Sequence, residues 1–294
     1  MSYTVDNAVI MAAGLSSRFA PLSFERPKAL INVKGEVLIE RQIRQLREAG
    51  IRDIIVVVGY KKEAFQYLEE KMGVTLVENP DYETRNNNST IKAAERFLGN
   101  SYICSSDNYF TENPFEREVE EAYYSAEYAE GKTKEWCLTT DEKDWITDVV
   151  VGGYNQWYMM GHAFWSKEFS DGFLHILNSV YERPETAGML WETIYANHIE
   201  LLKLKIRKYP PHYIYEFDSL DDLREFDSRY MRHTGSHFIR KACEYLGCTE
   251  DRIRNCMPWQ TRDGETIGFL FEYSGNTYRC CYSNGKIEMR GVHG

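Results

Sequence analysis

The residues with the clearest chemical signature stand near the N-terminus, where the chain reads Met-Ala-Ala-Gly-Leu-Ser-Ser-Arg-Phe from Met11 to Phe19. An apolar run leads into Gly14, at which the missing Cβ lets the main chain curl against a ligand. The side chains of Ala12 and Ala13 are small, so a phosphate or a base could approach the backbone. Successive N–H groups in such a turn can bind an anion.

Two cations accompany this turn. Arg18 offers a planar guanidinium, and Lys28, within Arg26-Pro-Lys-Ala-Leu30, offers a point charge; both suit a triphosphate. The turn is not a Walker P-loop, because no Gly-Lys-Ser/Thr follows, and it is not a Gly-x-Gly-x-x-Gly turn. The motif therefore predicts a nucleotide-phosphate site of another kind.

The whole string resembles the signature of the nucleotidyltransferase superfamily that makes nucleotide-sugars and CDP-alcohols. That signature is a small-small-Gly turn, then Ser/Thr-Arg, then Pro-Lys about ten residues later. The resemblance implies that the nucleotide is bound by Ala12, Ala13, Gly14 and Ser17, and that Arg18 and Lys28 are catalytic.

Nucleotidyl transfer needs a metal beside the α-phosphate, and Mg²⁺ takes hard oxygen ligands such as carboxylates. Asp107 follows the apolar run that begins at Ser101, at the end of a predicted strand. Glu216 and Asp218 would share one face if that segment is extended. The superfamily resemblance implies Asp107 and Asp218 as the Mg²⁺ ligands, with Glu216 as a further candidate. No general base is needed, because an attacking phosphate is already anionic at neutral pH.

Residues 40–60, 77–97, 134–138 and 215–223 resemble bacterial CTP:phosphocholine cytidylyltransferases of the LicC type. The likeness runs from about Ala8 to Phe226. It implies CTP as the nucleotide, with CDP-choline and pyrophosphate as products. It also implies that the cytidine is contacted by Tyr82, Asn87 and Ser89.

A choline ammonium group donates no hydrogen bonds, so it is bound by aromatic faces and a nearby carboxylate. Trp136, in a Lys-Glu-Trp context that matches the family, is the first candidate. Trp191 with Glu192 is the second, and Tyr195 lies one helical turn further on. The relatives tend to show Tyr-Trp-Asp-Asp where this chain has Leu190-Trp-Glu-Thr193. Phosphoethanolamine and 2-aminoethylphosphonate therefore stay alternative substrates.

The surrounding elements fit this chemistry. Apolar runs that begin at Ala8, Asp53, Thr75 and Ser101 alternate with amphipathic segments. This alternation predicts a fold of the α/β class, with a doubly wound, mostly parallel sheet of the Rossmann-like GT-A type. In such a sheet, ligands bind at the carboxyl ends of the strands. After about Phe110 the chain is rich in aromatic residues, as in a substrate-binding insertion.

A boundary near Met231 divides the chain into a catalytic domain, residues 1–231, and a small α+β domain, residues 232–294. The second part predicts an amphipathic helix and a hairpin joined by Gly275–Asn276. It resembles the start of a choline-kinase small lobe, but no His-x-Asp catalytic loop follows. We expect a remnant that serves packing or dimer contact rather than a kinase.

The composition of the chain limits the kinds of molecule that we expect it to bind. The formal net charge of −10 disfavours nucleic acid, which requires a basic surface. No secretory signal and no apolar run of membrane-spanning length is present, and the seven cysteines are scattered. We expect a cytoplasmic enzyme without membrane insertion, with a homodimer as the candidate assembly. Two other functions stay open: a sugar-1-phosphate nucleotidyltransferase, and a non-catalytic binding paralogue.

Overall fold

The structure is a computed structural model and describes residues 2–289. Its strands are β1 (Tyr3–Thr4), β2 (Asn7–Ala12), β3 (Asn32–Val33), β4 (Glu36–Val37), β5 (Asp53–Val58), β6 (Thr75–Glu78), β7 (Ser101–Ser105), β8 (Asn108–Phe110), β9 (Glu118–Val119), β10 (Tyr123–Thr140), β11 (Ile146–Trp165), β12 (Lys205–Lys208), β13 (Ile214–Glu216), β14 (Arg254–Gln260), β15 (Thr266–Tyr273), β16 (Asn276–Cys281) and β17 (Ile287–Met289). Its α-helices are α1 (Leu22–Glu25), α2 (Leu38–Glu48), α3 (Tyr67–Met72), α4 (Asn88–Ala93), α5 (Lys167–Val180), α6 (Trp191–Ala196), α7 (Leu220–Phe226) and α8 (His237–Leu246).

The chain forms two compact units. The first consists of residues 2–14 and 38–216, and the second of residues 15–37 and 217–289. The chain thus enters the second unit twice. The domain boundary expected near Met231 stays a prediction, and the two units are described separately below.

The first unit is built on a seven-stranded sheet with the order β12-β10-β11-β7-β2-β5-β6. Strand β2 is parallel to both β5 and β7, and β5 is parallel to β6. Only β11 in this sheet runs against its neighbours, β10 and β7. The predicted α/β class with a mostly parallel sheet is confirmed.

The central strand β2 is buried on both faces. Ala8, Val9 and Ile10 are each 0% exposed. Since successive side chains of a strand point to opposite faces, both faces of the sheet must be covered. Val9 belongs to a core that also contains Phe173 and Leu177 of α5.

Aromatic packing fixes the position of α6. Trp165, at the end of β11, has its ring centroid 4.7 Å from that of Phe173 and 5.0 Å from that of Trp191, the first residue of α6. All three rings are almost completely buried. The start of α6, where Glu192 lies, is therefore held by the core.

The aromatic segment after Phe110 consists largely of regular strands. It forms β10 and β11, a long antiparallel pair whose register runs from Tyr123 opposite Phe164 to Thr140 opposite Ile146. Several register shifts interrupt the pair. Such bulges break the period-two alternation by which a strand is found in a sequence.

The second unit is organised around Arg224 of α7, which is 2% exposed. Its guanidinium donates hydrogen bonds to the main-chain carbonyls of Tyr230, Glu250 and Ile253. Helix α7 begins at Ser219, whose hydroxyl accepts a hydrogen bond from the backbone N–H of Asp222 in a capping box.

Strands β14 to β17 form an antiparallel sheet in chain order. In the β15–β16 hairpin Tyr273 pairs with Asn276, so the turn residues are Ser274 and Gly275. Both have positive φ, 49° and 80°, as this type of two-residue turn requires. The turn lies one residue earlier than predicted, because Ser274 also adopts the left-handed conformation.

Among residues 2–289, no helix combines the length and apolar character needed to cross a bilayer.

Candidate active site

In the first unit the predicted phosphate-binding turn follows β2 directly. Ala12 and Ala13 are 6% and 3% exposed, and Gly14 is exposed. The carbonyl of Ala13 accepts a hydrogen bond from the N–H of Tyr60, at 3.1 Å. A Cβ placed on Gly14 would meet no atom within 4 Å. There is thus open space beside the backbone at the residue that we expect to approach the nucleotide.

Gly59, at the end of β5, joins this turn to Tyr82. A Cβ on Gly59 would lie 2.6 Å from Cγ of Tyr82 and 2.9 Å from the carbonyl oxygen of Ala13. Only glycine fits between them. The structure therefore brings the predicted residues Ala13 and Tyr82 together through a glycine that the motif did not include.

Ser89 is 1% exposed, and its hydroxyl is engaged within the protein. It donates to the carbonyl of Asn86 at 2.8 Å and accepts from Nδ2 of Asn79 at 2.9 Å. The N–H of Asn79 in turn donates to the carbonyl of Val58, at 2.8 Å. Ser89 thus anchors the start of α4 to the end of β5, and its predicted contact with cytidine stays a prediction.

Asn87 connects two predicted sites, the cytidine contacts and the substrate pocket. Its Oδ1 accepts from the N–H of Trp191 at 2.7 Å, and its Nδ2 donates to Oε2 of Glu192 at 3.1 Å. The other carboxylate oxygen, Oε1, accepts from the hydroxyl of Tyr124 at 3.2 Å. The side-chain amide of Asn87 therefore positions Glu192.

Tyr124 is a site residue that the sequence did not reveal. It lies on β10, 68 residues from Glu192 in the chain, and its ring stacks on Trp191 with centroids 5.5 Å apart. No local motif marks it. Only the pairing of β10 within the sheet and the packing of α6 place this hydroxyl beside the carboxylate.

The carboxyl group of Glu192 has a perturbed acidity. Burial raises its pKa from the usual 4.5 to about 7, although the hydrogen bonds from Asn87 and Tyr124 act in the opposite direction. Burial disfavours the charged form of a carboxyl. Glu192 therefore changes its charge near neutral pH, as groups in functional sites often do.

The three predicted aromatic contacts differ in their surroundings. Trp191 and Tyr195 are 1% and 0% exposed and belong to the core. Their ring faces are engaged in packing, and a role in binding substrate stays a prediction. Trp136 lies on β10 opposite Val151 and is partly exposed, with part of its ring against the same core.

Two of the predicted metal ligands stand at the ends of paired strands in the first unit. Asp107 immediately precedes β8, and Glu216 is the last residue of β13. The two strands are antiparallel, with Glu216 opposite Asn108, the residue after Asp107. Glu216 is exposed, and Asp107 is partly buried.

The other predicted residues belong to the second unit. Arg18 lies in a short turn of helix, Ser17–Phe19, and Asp218 in the connection that leads to α7. Nη1 of Arg18 donates to Oδ2 of Asp218 at 2.9 Å. Lys28 is 6% exposed, with Nζ 5.6 Å from the ring centroid of Phe19.

Comparison with known proteins identifies the fold and the family. A family model described as the MobA-like NTP transferase domain matches residues 8–129. The choline-phosphate cytidylyltransferase of Streptococcus pneumoniae is 34% identical over 220 residues, covering 75% of this chain and 96% of the relative. The solved structure of CTP:phosphocholine cytidylyltransferase (LicC) from the same species matches with a TM-score of 0.74 at 34% identity, covering 77% of this chain and 99% of that one. The chain belongs to the LicC-type cytidylyltransferase family.

Another relative of this chain has a different substrate in its name. The 2-aminoethylphosphonate cytidylyltransferase of Lancefieldella rimae is 36% identical over 229 residues, covering 76% of this chain and 93% of the relative. The overall identity of this chain to the two relatives is therefore similar. The residues of the substrate pocket must decide between them.

The predicted metal ligands of this LicC-type cytidylyltransferase have the chemistry that a magnesium ion prefers. Asp107, Glu216 and Asp218 all offer carboxylate oxygens, the hard ligands that Mg²⁺ prefers. Within residues 2–289, no group of three or more His, Cys, Asp or Glu side chains is placed to hold a metal ion. Mg²⁺ bound with a nucleotide needs only one or two protein carboxylates, because phosphate oxygens and water supply the rest.

Proposed function

We propose that this protein transfers a cytidylyl group from CTP to phosphocholine, giving CDP-choline and pyrophosphate. The observation that carries the proposal is the carboxylate of Glu192, held by Asn87 and Tyr124 on a helix fixed by aromatic packing. A buried carboxylate near aromatic rings is the chemistry that recognises an organic ammonium ion. Membership of the family indicates the type of reaction, and the surroundings of Glu192 indicate the class of substrate.

The reaction follows from the groups present. A phosphate oxygen of phosphocholine attacks the α-phosphorus of CTP, and the bond from that phosphorus to the bridging oxygen breaks as pyrophosphate leaves. The attacking oxygen is already anionic at neutral pH, so the protein need not supply a base. In the proposed roles, Arg18 and Lys28 neutralise the phosphates, and the N–H groups of residues 12–14 orient them.

We further propose Asp107 and Asp218, with Glu216 as a possible third, as ligands of Mg²⁺. When bound, Mg²⁺ supplies positive charge at the α-phosphate and at the departing pyrophosphate. The support is the chemistry of the carboxylates and their place in the sequence pattern. Tyr82, Asn87 and Ser89 stay the residues that we propose to contact the cytidine.

A second candidate substrate is 2-aminoethylphosphonate. The observation in its favour is the Leu190-Trp-Glu-Thr193 segment, in which the side chain of Trp191 is buried. A primary ammonium needs hydrogen-bond acceptors more than open ring faces, and Glu192 offers two acceptor oxygens. The partly exposed ring of Trp136 favours choline instead.

The deciding experiment measures pyrophosphate release with Mg²⁺ and either CTP or UTP. Each nucleotide is paired with phosphocholine, phosphoethanolamine, 2-aminoethylphosphonate or glucose 1-phosphate. We expect the highest kcat/KM with CTP and phosphocholine. A preference for 2-aminoethylphosphonate would show that this compound, and not phosphocholine, is the substrate. Release with UTP and glucose 1-phosphate would overturn the assignment of both CTP and phosphocholine. No release with any pair would reject the proposed activity.

The matched variants are Trp136→Ala and Trp145→Ala. Trp145 is another partly exposed tryptophan of the first unit, outside the proposed pocket. We expect Trp136→Ala to raise the KM for phosphocholine and Trp145→Ala to leave it unchanged. A cytoplasmic location, a homodimer and a kinase-lobe origin of residues 232–294 stay predictions with separate tests.

A further inference from the structure

The second unit contains a cavity of about 1160 Å³ that no step of the proposed reaction uses. Its lining includes Arg26, Arg229, Arg232 and His233, with Asp251 as its carboxylate. None of the residues proposed for the nucleotide, the metal or the amino-alcohol lines it. The cavity is large enough for a small organic molecule.

One of the three arginines is already neutralised. Arg229 is paired with Asp227, at 2.5 Å between Nη2 and Oδ2, and the same carboxylate accepts from the N–H of Lys34 at 2.8 Å. The Arg229 guanidinium holds the pKa of Asp227 down at about 2. The charges of this pair therefore cancel.

The two carboxylates near the cavity, those of Asp251 and Glu250, interact with residues other than the arginines of its lining. The hydrogen bond from Thr249, helped by Arg252 and Arg254, lowers the pKa of Asp251. Oε2 of Glu250 accepts from the N–H of Thr234 at 2.7 Å. Neither carboxylate is bound to an arginine of the cavity lining.

Arg26 and Arg232 differ from Arg229 in their charge pairing. Both side chains are exposed, and among residues 2–289 neither forms an ion pair or a side-chain hydrogen bond. A guanidinium group carries a positive charge that suits it to anions. The two arginines make the cavity locally positive in a protein whose formal net charge is −10.

We propose that this cavity binds an organic phosphate at a site that shares no residue with the proposed nucleotide turn. Guanidinium groups bind phosphate oxygens by parallel, charge-assisted hydrogen bonds, which suits Arg26 and Arg232 to a phosphate ester or diphosphate. Tyr230 and Met231 supply apolar lining for the organic part of the ligand. The protein's acidic surface disfavours a nucleic acid as the occupant.

The test uses pyrophosphate as the probe and isothermal titration calorimetry in EDTA. The proteins are the wild type, Arg232→Ser, Arg18→Ala and the control Arg262→Ser, which removes an exposed arginine outside the cavity. We expect Arg232→Ser to weaken a binding event at least tenfold, and Arg18→Ala and Arg262→Ser to keep it. The Arg232→Ser variant should retain its turnover of CTP and phosphocholine.

Pyrophosphate binding that is identical in the wild type and Arg232→Ser would overturn the proposal, since all of it would then occur elsewhere. A second titration uses citrate, which matches the charge but lacks phosphate. Binding of citrate as tight as that of pyrophosphate, lost equally in Arg232→Ser, would reject phosphate as the ligand class. Thermal unfolding of each variant shows that the fold is intact.

Discussion

Arg18 and Asp218 form an ion pair within the second unit, with 2.9 Å between Nη1 and Oδ2. Their side chains are 74% and 52% exposed. The proposed function assigns Arg18 to the triphosphate and Asp218 to Mg²⁺, so Arg18 would exchange its present partner for a phosphate and Asp218 for the metal ion. An exposed ion pair contributes little to stability, and this exchange therefore costs little.

The first prediction separates the two roles open to Asp218. Replacing it by Asn keeps the size and a hydrogen-bond acceptor for Arg18 but removes the charge that a metal needs. We expect Asp218→Asn to raise the Mg²⁺ concentration for half-maximal pyrophosphate release by about tenfold or more, and to lower kcat. If Asp218 only tethers Arg18, the Mg²⁺ dependence will match that of the wild type, and the metal assignment fails.

The second prediction concerns Gly59, which lies between Tyr82 and Ala13. An added methyl group would meet a ring carbon at 2.6 Å and a main-chain oxygen at 2.9 Å. We expect Gly59→Ala to lower the free energy of unfolding by about 1–3 kcal/mol, as overpacking does. Chemical denaturation measures the change. Gly188→Ala is the control, since a Cβ there meets nothing within 4 Å; equal effects of both variants would contradict the steric argument.

A third prediction distinguishes Gly14 from Gly59. A Cβ on Gly14 also meets no protein atom within 4 Å, so the fold should tolerate it. If the nucleotide approaches the backbone there, the methyl group will obstruct it. We expect Gly14→Ala to keep the wild-type melting temperature and to raise the KM for CTP. An unchanged KM would remove Gly14 from the nucleotide site.

The sequence predicted the strands around β2 because their signal is local. The apolar runs of β2 and β5 are continuous, as strands buried on both faces require. The cap at Ser219 is equally local, since it depends on residues three apart. These elements and the turn that follows β2 could therefore be placed from the residues alone.

What the sequence did not reveal depends on distant contacts. Tyr124 meets Glu192 across 68 residues, and the N–H of Lys34 meets Asp227 across 193. The β10–β11 pair is long, but its register shifts disguise the alternation. Neither a pairing of remote segments nor a bulged strand leaves a periodic signal in a single sequence.

The fourth prediction concerns the stability of the second unit. Arg224 is buried, and its guanidinium donates to three main-chain carbonyls and, at 3.1 Å, to Oδ1 of Asp221. Replacing it by Met keeps much of the volume but leaves those acceptors without a donor. We expect Arg224→Met to lower the free energy of unfolding by about 3 kcal/mol. Arg240→Met, an exposed arginine on α8, is the matched control and should be nearly neutral.

The last prediction follows from the acidity of Glu192. Burial raises the pKa of this carboxyl from 4.5 to about 7, so it is largely protonated at pH 6 and ionised at pH 8. Only the ionised form attracts an ammonium group. We expect the KM for phosphocholine to fall by about tenfold between pH 6 and pH 8, since a pKa near 7 changes the ionised fraction by that factor.

Glu192→Gln is the control. The phosphate group of phosphocholine ionises at about pH 6, and this ionisation affects the KM of the variant and of the wild type alike. In the variant the KM should be high, and only the ionisation of the substrate should make it depend on pH.

The stability of the protein gives an independent check. The raised pKa means that the folded protein binds this proton more tightly than the unfolded chain does, so the contribution of Glu192 to stability is full below pH 4.5 and is lost as the pH rises through 7. The melting temperature of the wild type should therefore fall relative to Glu192→Gln between pH 5 and pH 8. If the melting temperatures diverge in this way while the two KM profiles coincide, Glu192 is a buried carboxyl that does not contact the substrate.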